Sequence, residues 1–237
     1  GMELIDDKSI DMILCDLPYG TTQCKWDTII PFESLWKQYE RIIKDNGAIV
    51  LFASQPFTSL LITSNLKLYK YNWIWIKSKS SNFLNVKKQP LRIYEDICVF
   101  YKKQCTYNPQ MEILDKPKII KRSQKTIQVT GKFNSIRESI YTESYPKNIL
   151  KFDSELYLHP TQKPVALCEY LIKTYTNENE LVLDNCIGSG TTAIACINTN
   201  RNYIGFELNK EYYELAKNRI NKHIIDNNLQ DKYSLIT

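Results

Sequence analysis

The sequence predicts an α/β fold built on a doubly wound, mostly parallel sheet, and three observations carry that expectation. Short continuous apolar runs, such as Ala48-Ile49-Val50-Leu51-Phe52-Ala53, suit strands buried on both faces. They alternate with stretches of helical periodicity, as βαβ units require. Two of the runs also end in residues that bear chemistry. Met12-Ile13-Leu14-Cys15 leads into Asp16-Leu17-Pro18-Tyr19-Gly20, and Leu181-Val182-Leu183 leads into Asp184 and a glycine turn. In open α/β sheets ligands bind beyond the carboxyl ends of strands, so both endings lie where a site is expected.

Residues 10–15 are the first predicted strand, ending at Asp16. A helix follows over 31–44, where Phe32, Leu35, Tyr39, Ile42 and Ile43 recur at helical spacing and Asn46-Gly47 supplies the stop. The run 48–53 is the second strand, with a helix over 56–65 after it. Tyr71-Asn72-Trp73-Ile74-Trp75-Ile76 and Ile97-Cys98-Val99-Phe100-Tyr101 read as two further strands. Residues 102–150 lose periodicity and predict a small irregular insertion. From His159 the pattern tightens into a helix carrying Ala166, Leu167, Tyr170, Leu171 and Ile172. Then come a strand at 181–183, a helix at 191–199, a strand at 203–206 and an amphipathic helix over 209–225. Tyr233-Ser234-Leu235-Ile236 is expected as a short closing strand.

A chain of 237 residues with 43% hydrophobic content can bury one sizeable core, so a single domain over 2–237 is expected. Gly1 reads as a tag-cleavage scar. No apolar run approaches the roughly 20 residues of a membrane span. No signal-peptide pattern is present either, so a cytoplasmic protein without a membrane partner is expected. Seven cysteines without a C-x-x-C or a Cys/His cluster predict reduced thiols, with neither a disulfide framework nor a metal site. The net charge of +5 permits a nucleic-acid partner without requiring one.

Two basic stretches are candidate contacts to a phosphate backbone. Residues 77–92 hold Lys77, Lys79, Lys87, Lys88 and Arg92, interleaved with small polar residues that include Asn82, and with Phe83. A second basic run, 116–132, lies inside the 102–150 insertion. A segment of that length in a compact domain is more often functional or mobile than filler, so 102–150 is a candidate for reading nucleic-acid sequence, with a disordered insertion as the alternative.

The downstream signal is a strand–loop–helix unit. Gly188-Ser189-Gly190 allows backbone to approach a ligand, and Thr191-Thr192 opens a helix whose first N–H groups are unpaired. Glu207 ends the next strand, where a carboxylate can accept bonds from both ribose hydroxyls. Gly188-x-Gly190-x-x-Ala193 also fits a dinucleotide fingerprint, which keeps NAD as a rival. Asp184 favours S-adenosylmethionine (SAM), whose ammonium and sulfonium are cations, over a pyrophosphate that an acid would repel.

Together these stretches resemble the β class of DNA N4/N6 amino-methyltransferases, in which a catalytic Asp-Pro-Pro-Tyr-type motif precedes the SAM loop. Asp16 to Gly20 matches the first motif. Val182-Leu183-Asp184 through Thr192, followed by Gly205-Phe206-Glu207-Leu208, matches the second. His159-Pro160-Thr161-Gln162-Lys163-Pro164 resembles the element this family places before that strand. Asn82-Phe83-Leu84-Asn85 with Lys87-Lys88-Gln89-Pro90 is similar to members from phages and prophages. The likeness covers 9–105 and 145–222.

The resemblance implies a seven-stranded sheet of the class I SAM-dependent methyltransferase type. It also implies SAM as cofactor, double-stranded DNA as partner and a flipped base as target. A homodimer is compatible with it, and no restriction partner is indicated. In such a site Asp16, the Leu17 carbonyl, Pro18 and Tyr19 hold the target amine and stack on the base. Asp184, Gly188, Ser189, Gly190, Thr191 and Thr192 line the cofactor, with His159 and Thr161 from the preceding element. Lys163 reaches its carboxylate and Glu207 its ribose. Asp in first position leans toward adenine N6; cytosine N4 is the alternative. An RNA- or protein-directed relative would place its Asn-Pro-Pro-Tyr motif after the SAM loop, the reverse of the order here. Three departures stand out: Leu17 replaces the first proline, Cys186 replaces an aromatic, and the family's opening strand is missing, for which 233–236 could substitute. His223 reads as a solvated or packing residue.

Overall fold

The structure, a computed structural model, describes residues 1–22, 27–81, 83–128, 131–154 and 162–234, the side chains of 81, 84, 121–128 and 131–137 excepted. In chain order the elements are β1 (Ile10–Asp16), α1 (Phe32–Ile42), β2 (Ile43–Ala53), α2 (Phe57–Ser64), β3 (Tyr69–Ser81), β4 (Arg92–Phe100), β5 (Glu112–Gln128), β6 (Gly131–Ser144), β7 (Ile149–Phe152), α3 (Val165–Tyr175), β8 (Leu181–Asp184), α4 (Thr191–Asn198), β9 (Asn202–Gly205) and α5 (Lys210–Asp226). They form two units, described separately: 1–108 with 148–237, and Pro109–Lys147.

The larger unit holds a seven-stranded sheet in the order β7-β3-β4-β2-β1-β8-β9. It is parallel except for β4, which runs antiparallel to both neighbours. The apolar runs read as doubly buried strands are so. On β1 and β2, Ile13, Cys15, Ile49 and Leu51 face one side, against Leu35, Trp36 and Tyr39 of α1 and Phe57 and Leu61 of α2. Met12, Leu14, Val50 and Phe52 face the other, against Leu167, Leu171 and Ile172 of α3 and Ala195 of α4. Each such side chain contributes about 1.5–3 kcal/mol through removal from water, so these central strands fix the sheet. Helix α5 packs Ala216, Ile220 and Ile224 on α4.

Topology brings the chemistry to one edge. β1 and β2 run side by side, with Asp16 opposite Phe52, and β8 runs parallel to β1, so Asp16 and Asp184 end neighbouring strands. Because β4 is antiparallel to β2, with Asp96 opposite Ala53, its first residues lie at the edge where β1 and β2 finish.

Three expectations change. The 109–147 unit is a long antiparallel hairpin of β5 and β6, with Lys118 opposite Tyr141 and Ile119 opposite Ile140, rather than an irregular insertion. Ile113, Ile119, Ile140 and Tyr141 are exposed, so at these described positions no buried face imposes an apolar alternation that the sequence would reveal. Secondly, Tyr233 and Ser234 belong to no strand, and 235–236 lie outside the described residues. The seventh strand is instead β7, which pairs parallel with β3. Thirdly, β3 and β4 extend further than their apolar cores toward the site edge.

Candidate active site

Asp16 closes β1 because Leu17-Pro18 cannot continue the ladder: proline has no N–H to donate. The turn after it is held by Asp27, whose carboxylate accepts the N–H groups of Gly20 at 2.8 Å, Thr21 at 2.9 Å and Thr22 at 2.6 Å. Burial raises the Asp27 carboxyl, but these donated bonds outweigh it and hold the group below the usual carboxylate range. The Tyr19 ring stacks on Phe57 of α2, with centroids 5.1 Å apart, and its hydroxyl donates to Asp16 Oδ1 at 2.6 Å.

Two cations and two carboxylates meet beside that turn. The Lys163 ammonium donates to Asp16 Oδ2 and lies 3.4 Å from Glu95 Oε2. Lys77 forms an ion pair with Glu95 Oε1. Lys163 and Glu95 are about 9–11% exposed at the side chain, against 25% for Asp16. Burial would lower the Lys163 ammonium; the Asp16 and Glu95 carboxylates outweigh it and raise it. For Glu95 burial, which raises the carboxyl, is outweighed by Lys163 and Lys77, and it stays low. At Asp16 burial prevails over Lys163 and the carboxyl is raised. The cluster is therefore charge-balanced as two anions and two cations, the condition for ions to be kept out of water.

The second half of the site is the loop between β8 and α4. Asp184, 5% exposed, accepts the Cys186 N–H at 3.0 Å and the Thr192 hydroxyl at 2.6 Å, and burial pushes its carboxyl up to about 6. Gly188 has φ +52°, a conformation glycine adopts without strain, and a Cβ placed there would meet only the Cys186 carbonyl oxygen, at 3.9 Å. Its N–H donates to Glu207 Oε2 at 3.0 Å, and Glu207 Oε1 accepts the Asn209 N–H at 2.8 Å. Asn209 in turn caps α5, its side chain accepting from Glu211 and Tyr212. Arg219 of α5 reaches back to the Ser189 carbonyl at 3.0 Å and the Thr191 hydroxyl at 3.1 Å. An open glycine turn beside a half-buried carboxylate with unused lone pairs fits the ribose and backbone contacts of a nucleoside cofactor such as SAM.

The expected residues divide accordingly. Asp16, Leu17, Pro18, Tyr19 and Lys163 gather at the end of β1, and Asp184 to Thr192 with Glu207 form the neighbouring loop. Asp184, expected to face the cofactor, turns inward and pins its own loop; Ser189, Thr191 and Thr192 are 5–6% exposed and also serve packing. Lys163, expected at the cofactor's carboxylate, is engaged with Asp16 and Glu95. Lys77, expected on DNA, is turned inward onto Glu95, and Arg92 donates to the buried Ser54 at 2.7 Å. Lys79, Lys87 and Lys88 are exposed. Asn82, His159 and Thr161 lie outside the described residues. Glu95, Phe57, Asp27 and Arg219 were not expected. Of these only Glu95 left a trace, as one of two acids opening an apolar strand.

Comparison with known proteins agrees with this geometry. A family model described as DNA methylase matches residues 10–218. The type II methyltransferase M.HpaI of Haemophilus parainfluenzae is 29% identical over 93% of this chain and 71% of its own length. The DNA adenine methyltransferase YhdJ of Escherichia coli K12 is 25% identical over 92% of this chain and 79% of its own. Among solved structures, the M1.HpyAVI–SAM complex aligns with TM-score 0.59 and 27% identity over 89% of both chains. The cytosine-N4-specific PvuII DNA methyltransferase shares the fold, with TM-score 0.64 at 16% identity over 99% of this chain and 90% of its own. With its Asp16 motif ahead of its glycine loop on one sheet edge, the chain belongs to the N6/N4 DNA methylase family and is a SAM-dependent DNA methyltransferase.

Proposed function

We propose that the protein methylates the N6 amine of adenine in double-stranded DNA at a specific site, with Asp16, the Leu17 carbonyl and Tyr19 as the groups that hold the base. The observation that carries this reading is the partly buried Asp16 carboxylate at the end of β1, beside the Tyr19 ring. An exocyclic amine is a poor nucleophile because its lone pair is delocalised into the ring. Hydrogen bonds from its two protons to the Asp16 carboxylate and the Leu17 carbonyl favour the tetrahedral form. Asp16 also faces the positive charge that develops on nitrogen. When bound, SAM supplies the electrophilic methyl on a sulfonium. The Asp16 carboxyl, raised by burial, then accepts the proton that the methylated nitrogen sheds. Tyr19, steadied by Phe57, stacks on a base that must leave the duplex to reach this edge. The adenine assignment rests on aspartate in first position and on the described activity of YhdJ.

The 102–150 segment is assigned to target recognition. Its β5–β6 ribbon suits a major groove, which admits two-stranded β structure, and its lysines and arginines suit phosphates. A DNA substrate supports a cytoplasmic location; separately, among the described residues no helix is long and apolar enough to cross a membrane. The test is mass spectrometry of nucleosides from DNA of cells expressing the protein. N6-methyladenine is expected, N4-methylcytosine would correct the base, and neither would overturn the assignment.

A further inference from the structure

Lys163 engages the carboxylate to which the proposed function assigns the target amine. Both oxygens of Asp16 are engaged, Oδ1 by the Tyr19 hydroxyl at 2.6 Å and Oδ2 by the Lys163 ammonium. The same ammonium lies 5.9 Å from the centroid of the Tyr19 ring. One cation therefore attends both the carboxylate and the ring on which the reaction reading depends.

Glu95 offers that cation another partner. Its Oε1 is paired with Lys77, whereas its buried Oε2 accepts no hydrogen bond among the described residues, although Lys163 Nζ is 3.4 Å away. A charged N–H···O bond is about 2.7–2.9 Å long, so a movement on the order of half an ångström completes it. An orphaned carboxylate oxygen next to a shared ammonium is the arrangement of a second seat.

We propose that Glu95 is a positioning residue that draws Lys163 off Asp16 as the target amine docks, so that Asp16 is released to the amine while Lys163 stays compensated. This rests on the assignment of Asp16 as the amine's acceptor. No covalent step is involved: one ammonium exchanges one carboxylate for another, and the amine takes the vacated oxygen. The net charge of the Asp16–Lys163–Glu95–Lys77 cluster is unchanged by the exchange. Without the Glu95 charge, Lys163 has Asp16 as its only carboxylate within the cluster, and the amine must compete with it.

The test compares binding of two duplexes, in the presence of S-adenosylhomocysteine so that no transfer occurs. One carries the target base and the other an analogue lacking only the exocyclic amine, in the sequence context read from methylated DNA. The wild type should prefer the amine-bearing duplex by about tenfold or more, the scale of a hydrogen bond to a charged group. Glu95→Gln should bring that preference close to one while S-adenosylhomocysteine affinity, measured by calorimetry, holds. Glu95→Asp should restore part of it. In a Lys163→Met background Glu95→Gln should have no further effect, because residues acting through one partner are non-additive. If Glu95→Gln does not fold, the charge-balanced Lys77→Gln/Glu95→Gln pair is measured instead, with the same expectation. A preference kept by the variant tested, or lowered equally with and without Lys163, overturns the proposal. Asp16→Ala, which removes both acceptor oxygens, separates the two claims: preference kept in Asp16→Ala means that Asp16 is not the acceptor. Preference lost there but kept in Glu95→Gln sinks the role of Glu95 alone.

Discussion

Replacing Glu207 probes the cofactor half of the site with a magnitude that the structure constrains. Its carboxylate holds the Gly188 N–H at 3.0 Å and the Asn209 N–H at 2.8 Å, joining the glycine turn to the cap of α5. Each oxygen keeps a lone pair for a ribose hydroxyl. A hydrogen bond to a charged group contributes about 1.5–3 kcal/mol, and half-exposure favours the lower end because water can substitute. Glu207→Ala should therefore lower stability by about 1–3 kcal/mol, with a melting shift of about 2–4 °C per kcal/mol in a chain of this size. SAM affinity should fall by about 10- to 150-fold from the loss of the ribose contacts. Glu207→Gln keeps one acceptor oxygen and the side-chain shape but not the charge, and should fall between. Calorimetric titration with SAM beside a thermal melt separates the two effects. Wild-type affinity in Glu207→Ala would refute the ribose role. A lowered melting point alone would leave Glu207 as a loop brace and nothing more.

Two other measurements follow from the same edge. Lys87→Ala/Lys88→Ala should flatten the dependence of DNA affinity on salt, since log K falls with log salt by about 0.9 per neutralised phosphate. An unchanged slope would move the DNA path elsewhere. Asp184, raised by burial to about 6, gains its charge as pH rises through that value. SAM is cationic at its ammonium and sulfonium, so its affinity should increase with pH across that range and level off above it. Asp184→Asn should flatten the profile, and a wild-type affinity independent of pH between 5 and 7.5 would show that the Asp184 charge is not felt by the cofactor.

The central strands were legible because burial on both faces of a parallel sheet forces continuous apolar runs, as at Met12–Cys15 and Ala48–Ala53. The glycine loop was legible for a local reason: turn, strand end and helix start are adjacent in the chain. What escaped was non-local. β7 is four residues long with one buried side chain, too little to show a period. The described side chains of the β5–β6 ribbon are mostly exposed, so no buried face there imposes an apolar alternation. Lys77 sits in a run of exposed cations, and only the pairing of β3 with β4 reveals that it turns onto Glu95. Lys163 and Asp16 meet across 147 residues, and Glu95 joins them from a third element. No spacing rule would have assembled that cluster. The inward turn of Asp184 was likewise hidden, because a strand-end carboxylate reads alike whether it faces a ligand or its own loop.

The most direct test of the account is Asp16→Asn, assayed by tritiated methyl incorporation into DNA alongside titration of the same variant with SAM. Asn is a good turn residue and can still accept from Tyr19, so a purely structural Asp16 would leave turnover nearly intact. A carboxylate facing a developing positive charge is a preorganised electrostatic partner, and losing one costs about 10²–10³ in rate. The account predicts a fall of at least that size, with DNA binding retained and SAM affinity changed far less than turnover. Wild-type incorporation by the Asn variant would contradict it.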